Sequence, residues 1–215
     1  EFPPPGVEQY FRTFRIGPFA VDAEERTLIY CTNMDGKMNL WAMDLERRYP
    51  YPFTTLGEAC SNILPDPKGR YVIAAFDRDG DENWQVYALP PAGGDPLPLL
   101  QAEGEKFFPI QLSEDGRYLY YCTSQGNPQF LNSYRYDLET GEQELLYTGE
   151  GATTFLVTVA REGDAFVTAE ALSNTMRFVY LHTGGERLPL RRADEPHGAG
   201  AAVIWGQGHG LLRNR

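Results

Sequence analysis

The sequence predicts an all-β fold, a β-propeller built of four-stranded antiparallel blades. Three observations carry this: one pattern recurs at nearly constant spacing, each copy holds four short strands, and no copy shows a helical period. The copies start with FAVDAEERTLIYCTN, ILPDPKGRYVIAAFD, IQLSEDGRYLYYCTS and VTVAREGDAFVTAEA. Their turn residues Glu25, Gly69, Gly116 and Gly163 lie 44, 47 and 47 residues apart. An apolar residue precedes each by six positions: Phe19, Ile63, Ile110 and Val157. A fifth copy opens the same way, with Ile204 six before Gly210 and Gly210 another 47 residues on. A period of about 40–50 residues with four strands per period is that of a propeller blade.

The elements follow in order. Residues 1–15 form an N-terminal lead-in, in which VEQYFRTF has the spacing of a short helix. Each blade then has an inner strand, a polar turn and an alternating run of β-branched and aromatic residues, the composition of a strand. The third strands are NLWAMDL, NWQVYAL, LNSYRYDL and MRFVYLHT. The turns ERRYP, PPAGGD, ETGE and TGGE lead to the fourth strands PFTT, PLPLL, QELLYT and RLPLR. Glycine supplies positive φ at such turns and proline presets φ, so short hairpins are favoured there. The blades are placed at 16–58, 59–105, 106–151 and 152–197, with the start of a fifth at 198–215. A blade buries its faces against its neighbours, and a chain stopping in a fifth blade does not close a ring by itself. An incomplete ring, as a piece of a larger protein, is therefore expected. The alternative is a smaller ring completed by the residual strand or the N-terminal segment.

Composition narrows the function. Of 215 residues, 42% are hydrophobic and 13% aromatic, ample for a packed core. A formal net charge of −11 repels phosphates, which argues against nucleic acid and anionic membrane as partners. No apolar run approaches the ~20 residues of a membrane helix. The start, EFPPPGVEQYF, lacks the regions of a secretory signal. Cys31, Cys60 and Cys122 form no CxxC and no ligand spacing, the usage of a reducing compartment. A soluble, cytoplasmic protein is expected.

Chemistry-bearing residues are few. Nucleophilic serine chemistry of the hydrolase kind needs G-x-S-x-G on a strand-to-helix elbow. None of Ser61, Ser113, Ser124, Ser133 and Ser173 is so flanked. His182, His197 and His209 read as surface-turn residues, His182 in the place of Glu139. Cys31 and Cys122 hold equivalent repeat positions, IYCTN and YYCTS. They read as small buried hydrophobes rather than a disulfide pair. The inner strands offer Asn62 and Gln111 as oxygen donors and no carboxylate, which argues against a metal-dependent enzyme working in the central channel.

The densest chemistry is the acidic run DRDGDEN, Asp77 to Asn83. Asp77, Asp79 and Asp81 alternate as in a calcium loop. Gly80, however, falls one place early and no Glu stands at the twelfth position. Blades one and three carry plain turns here, NMDGKMN and SQGNPQF. A solvated hairpin is therefore expected, holding no metal or other cofactor.

The stretch ILPDPKGRYVIAAFDRDGDENWQVYALPPAGGDPLPLL resembles the second propeller blade of the prolyl oligopeptidase family, in its acylaminoacyl-peptidase and dipeptidyl aminopeptidase branches. The shared pattern is D-x-x-G-x-E-N-x-Q, a hydrophobic residue and Y, followed by G-G-x-P-x-x-L. VEQYFRTFRIGPFAVDAEERTLIYCTNMDGKMNLWAMDL is similar to that family's approach to blade one, and LSEDGRYLYYCTS and YDLETGEQELL repeat the theme. Related repeats occur in TolB-like propellers. The family resemblance implies a second, α/β-hydrolase domain carrying a Ser-Asp-His triad, with the propeller limiting access to short peptides. This chain is then expected to hold no catalytic residue and to act as gate and scaffold. Asp77, Asp79, Asp81 and Glu82 are its candidate contacts with a peptide amino end or with the hydrolase domain. The competing expectation is a TolB-like module for protein–protein interaction. An open arc also exposes apolar blade faces, so self-association through the open blade edges is expected.

Overall fold

Each blade starts from a turn whose chemistry is visible in its residues. In the first, the Asp22 carboxylate accepts the backbone N–H groups of Arg26 and Thr27 at 2.7 and 3.0 Å. In the second, Asp66 does the same for Arg70, and in the third the Ser113 hydroxyl accepts the Tyr118 N–H. The four repeat anchors all adopt the left-handed conformation these turns require: Glu25 at φ 54°, Gly69 at 68°, Gly116 at 67° and Gly163 at 75°. Gly116 is also sterically fixed, because a Cβ there would collide with the Asp66 carboxylate and the Arg70 guanidinium of the preceding blade.

The computed structural model describes residues 4, 6–11 and 13–190. A short helix α1 (Val7–Phe11) precedes sixteen strands. Blade one comprises β1 (Ile16–Val21), β2 (Thr27–Thr32), β3 (Asn39–Asp44) and β4 (Pro50–Pro52). Blade two comprises β5 (Cys60–Pro65), β6 (Val72–Phe76), β7 (Gln85–Leu89) and β8 (Leu97–Leu100). Blade three runs through β9 (Phe107–Leu112), β10 (Tyr118–Thr123), β11 (Asn132–Asp137) and β12 (Gln143–Thr148). Blade four runs through β13 (Thr153–Val159), β14 (Ala165–Ala171), β15 (Arg177–Thr183) and β16 (Glu186–Pro189). Each blade is one antiparallel sheet with its strands in sequence order. The inner strands meet in the succession β1, β5, β9, β13, so the described residues form an open arc of four blades. The fifth copy at 198–215, with His197 and His209, lies outside the described residues.

The second strand of a blade is covered on both sides, which explains why it is apolar almost throughout. Val72, Ala74 and Phe76 of β6 pack against Ile29, Cys31, Leu40 and Phe53 of blade one. Ile73 and Ala75, pointing the other way, pack with Phe107, Leu119 and Tyr121 of blade three. Tyr120 and Cys122 in turn meet Leu156 and Val159 of blade four. At about 25 cal/mol per Å² these interfaces, rather than single blades, supply the stabilising burial.

Two expectations need correction. The fourth strand of blade one is Pro50–Pro52, not PFTT. Phe53 and Thr54 instead both donate their N–H groups to the Leu40 carbonyl. Proline suits this outermost strand, since no further strand needs its missing N–H, and Pro98 and Pro189 sit likewise in β8 and β16. His182 is not a turn residue. It pairs with Phe166 inside β15, in the place that Tyr136 holds against Leu119 in blade three, and it is buried against that blade.

Candidate functional site

The acidic run closes β6 and leads into β7. Asp81 builds the loop: one of its oxygens accepts the Asn83 and Arg78 N–H groups at 2.9 and 3.3 Å, and the other accepts the Asn83 amide at 3.2 Å. The Asn83 N–H bond, ahead of the other contacts, holds its carboxyl below the usual range. Asp79, Gly80 and Glu82 adopt φ of 54°, 79° and 58°, a concentration of left-handed residues that stores backbone strain at the two non-glycine positions. The Asp79 N–H donates to Glu58 Oε2 at 2.9 Å, which ties the loop to the junction between blades one and two.

Asp79, Asp81 and Glu82 are exposed, as a solvated hairpin would have them. Asp77 is not. It is 5% exposed, and its Oδ1 has no hydrogen-bond partner among the described residues. Burial first, then the charges of Glu58 and Asp81, push its carboxyl above the usual carboxylate range. Asp77 faces a cavity of about 690 Å³ whose walls include Leu56, Glu58, Phe76, Asp81 and Tyr87. The structure thus brings Asp77 and Asp81 together with Glu58 around one space, which Asp79 and Glu82 do not line.

The repeat shows how unusual this is. One position past the second strand, blade one has Asn33, which accepts the Arg15 N–H at 2.7 Å. Blade three has Ser124, which accepts the Lys106 N–H at 2.8 Å and donates to Glu105 Oε2 at 2.5 Å. Glu58 holds the place of Glu105, 47 residues earlier. Where blade three sets a hydroxyl against this glutamate, blade two sets a second carboxylate.

The remaining candidates are structural. The Asn62 amide donates to the Pro109 carbonyl of the next blade at 2.5 Å. Gln111 bonds both backbone groups of Val159. The two inner-strand oxygen donors are therefore clasps between blades. A second cavity of about 360 Å³ between blades three and four is walled by Gln111, Glu114, Tyr120 and Arg161, and the ion pair between Arg161 and Glu114 neutralises its charge. His182 Nε2 lies 2.8 Å from the Thr168 hydroxyl, and its ring stacks on Phe166 at 4.4 Å. With Thr168 fully buried, that pair is packing within the interface. Among the described residues, no three His, Cys, Asp or Glu side chains gather as a metal site requires, and no helix is long and apolar enough to cross a membrane.

Glu58 was not singled out by the sequence, where GEAC follows no local pattern. The repeat register, which places it opposite Asp77, is the signal that finds it.

No protein-family model matches this sequence, and no curated protein matches it. Solved structures match its fold. An oligogalacturonate lyase in complex with manganese superposes with a TM-score of 0.65 at 16% identity, over 86% of this chain and 55% of that one. A putative TolB from Agrobacterium tumefaciens gives 0.63 at 18%, over 83% and 62%. A puromycin-hydrolysing peptidase of Mycobacterium tuberculosis gives 0.61 at 20%, over 83% and 29%. The chain spans less than two thirds of each of these proteins. TolB propellers and peptidases of the prolyl type both share the architecture. At such identities the likeness establishes a fold, and that fold is the β-propeller.

Proposed function

We propose that this chain is the non-catalytic propeller portion of a cytoplasmic serine peptidase of the prolyl oligopeptidase family. It acts as gate and scaffold for short peptides, and an α/β-hydrolase domain of the same parent protein supplies the triad. The observation that carries this reading is blade two. The segment DRDGDENWQVY, which most resembles the peptidase propellers, builds the strained loop and the acidic cavity around Asp77. Asp77, Asp79, Asp81 and Glu82 then offer anionic contacts to a peptide amino end or to the hydrolase domain. The three buried, unpaired thiols support a reducing compartment.

Sequencing the parent gene beyond the Arg215 codon tests the proposal. Further blades followed by G-x-S-x-G are expected, and the encoded protein should hydrolyse short peptides until that serine is changed to alanine. A reading frame that completes the ring and ends without a hydrolase overturns it. That outcome supports the second reading, a TolB-like interaction module, which is favoured by the larger share of a TolB chain that this sequence covers, 62% against 29% for the peptidase. Self-association belongs to the same proposal. Ile16 and Phe19 of β1 are each 70% exposed and offer an apolar face to a second copy. A monomer by sedimentation at high concentration would count against it.

A further inference from the structure

We propose that the cavity beside blade two binds a primary alkylammonium group, with the Asp77 carboxylate as its charge partner and Glu58 as a second anion. The inference rests on the contact to a peptide amino end proposed above and names its chemistry; because it is read by binding alone, its failure is distinguishable from failure of the peptidase reading.

Buried polar atoms are almost always hydrogen-bonded, and those that are not call for an explanation. Three buried side-chain atoms among the described residues lack a partner, and Asp77 Oδ1 is the one that belongs to a carboxylate. It faces a space that Glu58, Asp81 and Glu103 also border; Arg78, the one cation on that wall, acts on Asp81 and leaves Asp77 without a positive partner. A carboxylate withdrawn from water beside two others is unfavourable in the free protein. A cation placed among them removes that penalty. The same repeat position is satisfied in blades one and three by Arg15 N–H on Asn33 and by Glu105 with Lys106 on Ser124. The propeller architecture therefore does not require the arrangement; it belongs to blade two.

A calcium ion takes six to eight oxygens, whereas here the oxygens of Asp81 are engaged by Asn83 and Arg78, and Glu58 Oε2 by the Asp79 N–H. A guanidinium favours a bidentate carboxylate. Asp77 presents one buried oxygen without a partner, Oδ1. An ammonium is a point charge with three donors, and a single carboxylate oxygen with a second anion nearby suits it. The edge-on pair of Phe76 and Tyr87, centroids 5.7 Å apart, provides the apolar wall along which an alkyl stem lies.

The experiment is a calorimetric and thermal-melting titration of the full chain with n-butylammonium chloride. Tetramethylammonium, guanidinium, calcium and potassium chlorides serve as comparison arms at matched ionic strength. Saturable binding and a rise in Tm are expected with butylammonium, and neither with the tetramethyl ion, which has no N–H to donate. Asp77→Asn should weaken binding about tenfold or more, as loss of a desolvated charge partner does. Asp95→Asn removes a like charge from the exposed turn between β7 and β8, outside the cavity, and should leave affinity unchanged. Should Asp77→Asn fail to fold, the Asp77 carboxyl 13C resonance of the unmodified protein reads the site directly and should move as butylammonium is added. Equal shifts with potassium, tighter binding of calcium or guanidinium, equal affinity of Asp77→Asn, or an Asp77 resonance that stays in place would each overturn the assignment.

Discussion

Gln111 of blade three grips Val159 of blade four twice: its Nε2 donates to the Val159 carbonyl at 3.0 Å, and its Oε1 accepts the Val159 N–H at 3.1 Å. The same oxygen accepts the Thr158 hydroxyl at 2.9 Å. One side chain thus completes the backbone hydrogen bonding of a neighbouring inner strand that has no strand of its own on that side. Gln111→Ala leaves those groups half-buried and unpaired, and should destabilise the chain by about 1–3 kcal/mol. Gln111→Glu keeps the acceptor and loses the donor, and should fall between the two. Urea midpoints of the three proteins check the order. An alanine variant as stable as the parent would mean that water replaces the clasp at no cost.

Sulfur makes a second clasp. The Leu156 N–H donates to Cys122 Sγ at 3.0 Å, again from blade four to blade three. Cys31 holds the equivalent place in blade one and packs with Cys60 of blade two in one buried cluster. Burial raises all three thiols above their ordinary range, and a buried thiol is a poor nucleophile. Iodoacetamide should leave the native protein unmodified and alkylate all three cysteines in urea. Cys122→Ala should lower the urea midpoint, because it strands a buried N–H and opens a small void, a loss of about 1–3 kcal/mol. Fast native alkylation of Cys122 would contradict the packing described.

The repeat made most of this fold legible in advance. Spacing and turn chemistry gave the strands, their antiparallel order and the burial of Cys31 and Cys122, because each of those is a local property repeated four times. His182 was misplaced because its burial depends on what blade three presents to it. Phe166 and Tyr147 enclose its ring, the latter from across the interface at 4.7 Å. The sequence places Asp77 in a solvated turn because a turn is what the neighbouring residues form. Its own burial comes from the junction carrying Glu58, a contact between segments far apart in sequence. Both errors concern interfaces, which no window within one blade contains.

His182 should make stability depend on pH. Burial first, and then the Arg187 guanidinium, lower its pKa from the ordinary value of 6.5. Glu170 on the same face is occupied by its ion pair with Arg187. The unfolded chain therefore takes up the His182 proton at higher pH than the folded chain does. This contribution to stability is fully present above pH 6.5 and is lost as pH falls from there through the lower folded value. His182→Gln removes the titration while keeping a side chain able to bond Thr168. Urea midpoints measured across this window should decline with acid more steeply for the parent than for the variant, and parallel curves would exclude His182 as the source.

Asp77 should act in the opposite sense. Its carboxyl ionises near 3.8 in the unfolded chain and at higher pH in the folded one. Between those values the folded state retains a proton that the unfolded state has lost. The contribution to stability is complete below 3.8 and is lost as pH rises through the folded value. At neutral pH the buried anion beside Glu58 and Asp81 works against the fold. Asp77→Asn has nearly the same shape and no charge, so it should stabilise the free chain at pH 7 by on the order of 1 kcal/mol, within the range of single substitutions that relieve a functional strain. The gain should shrink toward pH 4, as the parent's own carboxyl takes up its proton. Glu58→Gln should reproduce part of the gain by removing one of the repelling charges, and combining it with Asp77→Asn should give less than the sum, because the two act on one interaction. Thermal melting of the four proteins at both pH values reads the full pattern. A destabilised Asp77→Asn at pH 7 would mean that the carboxylate is satisfied within the fold.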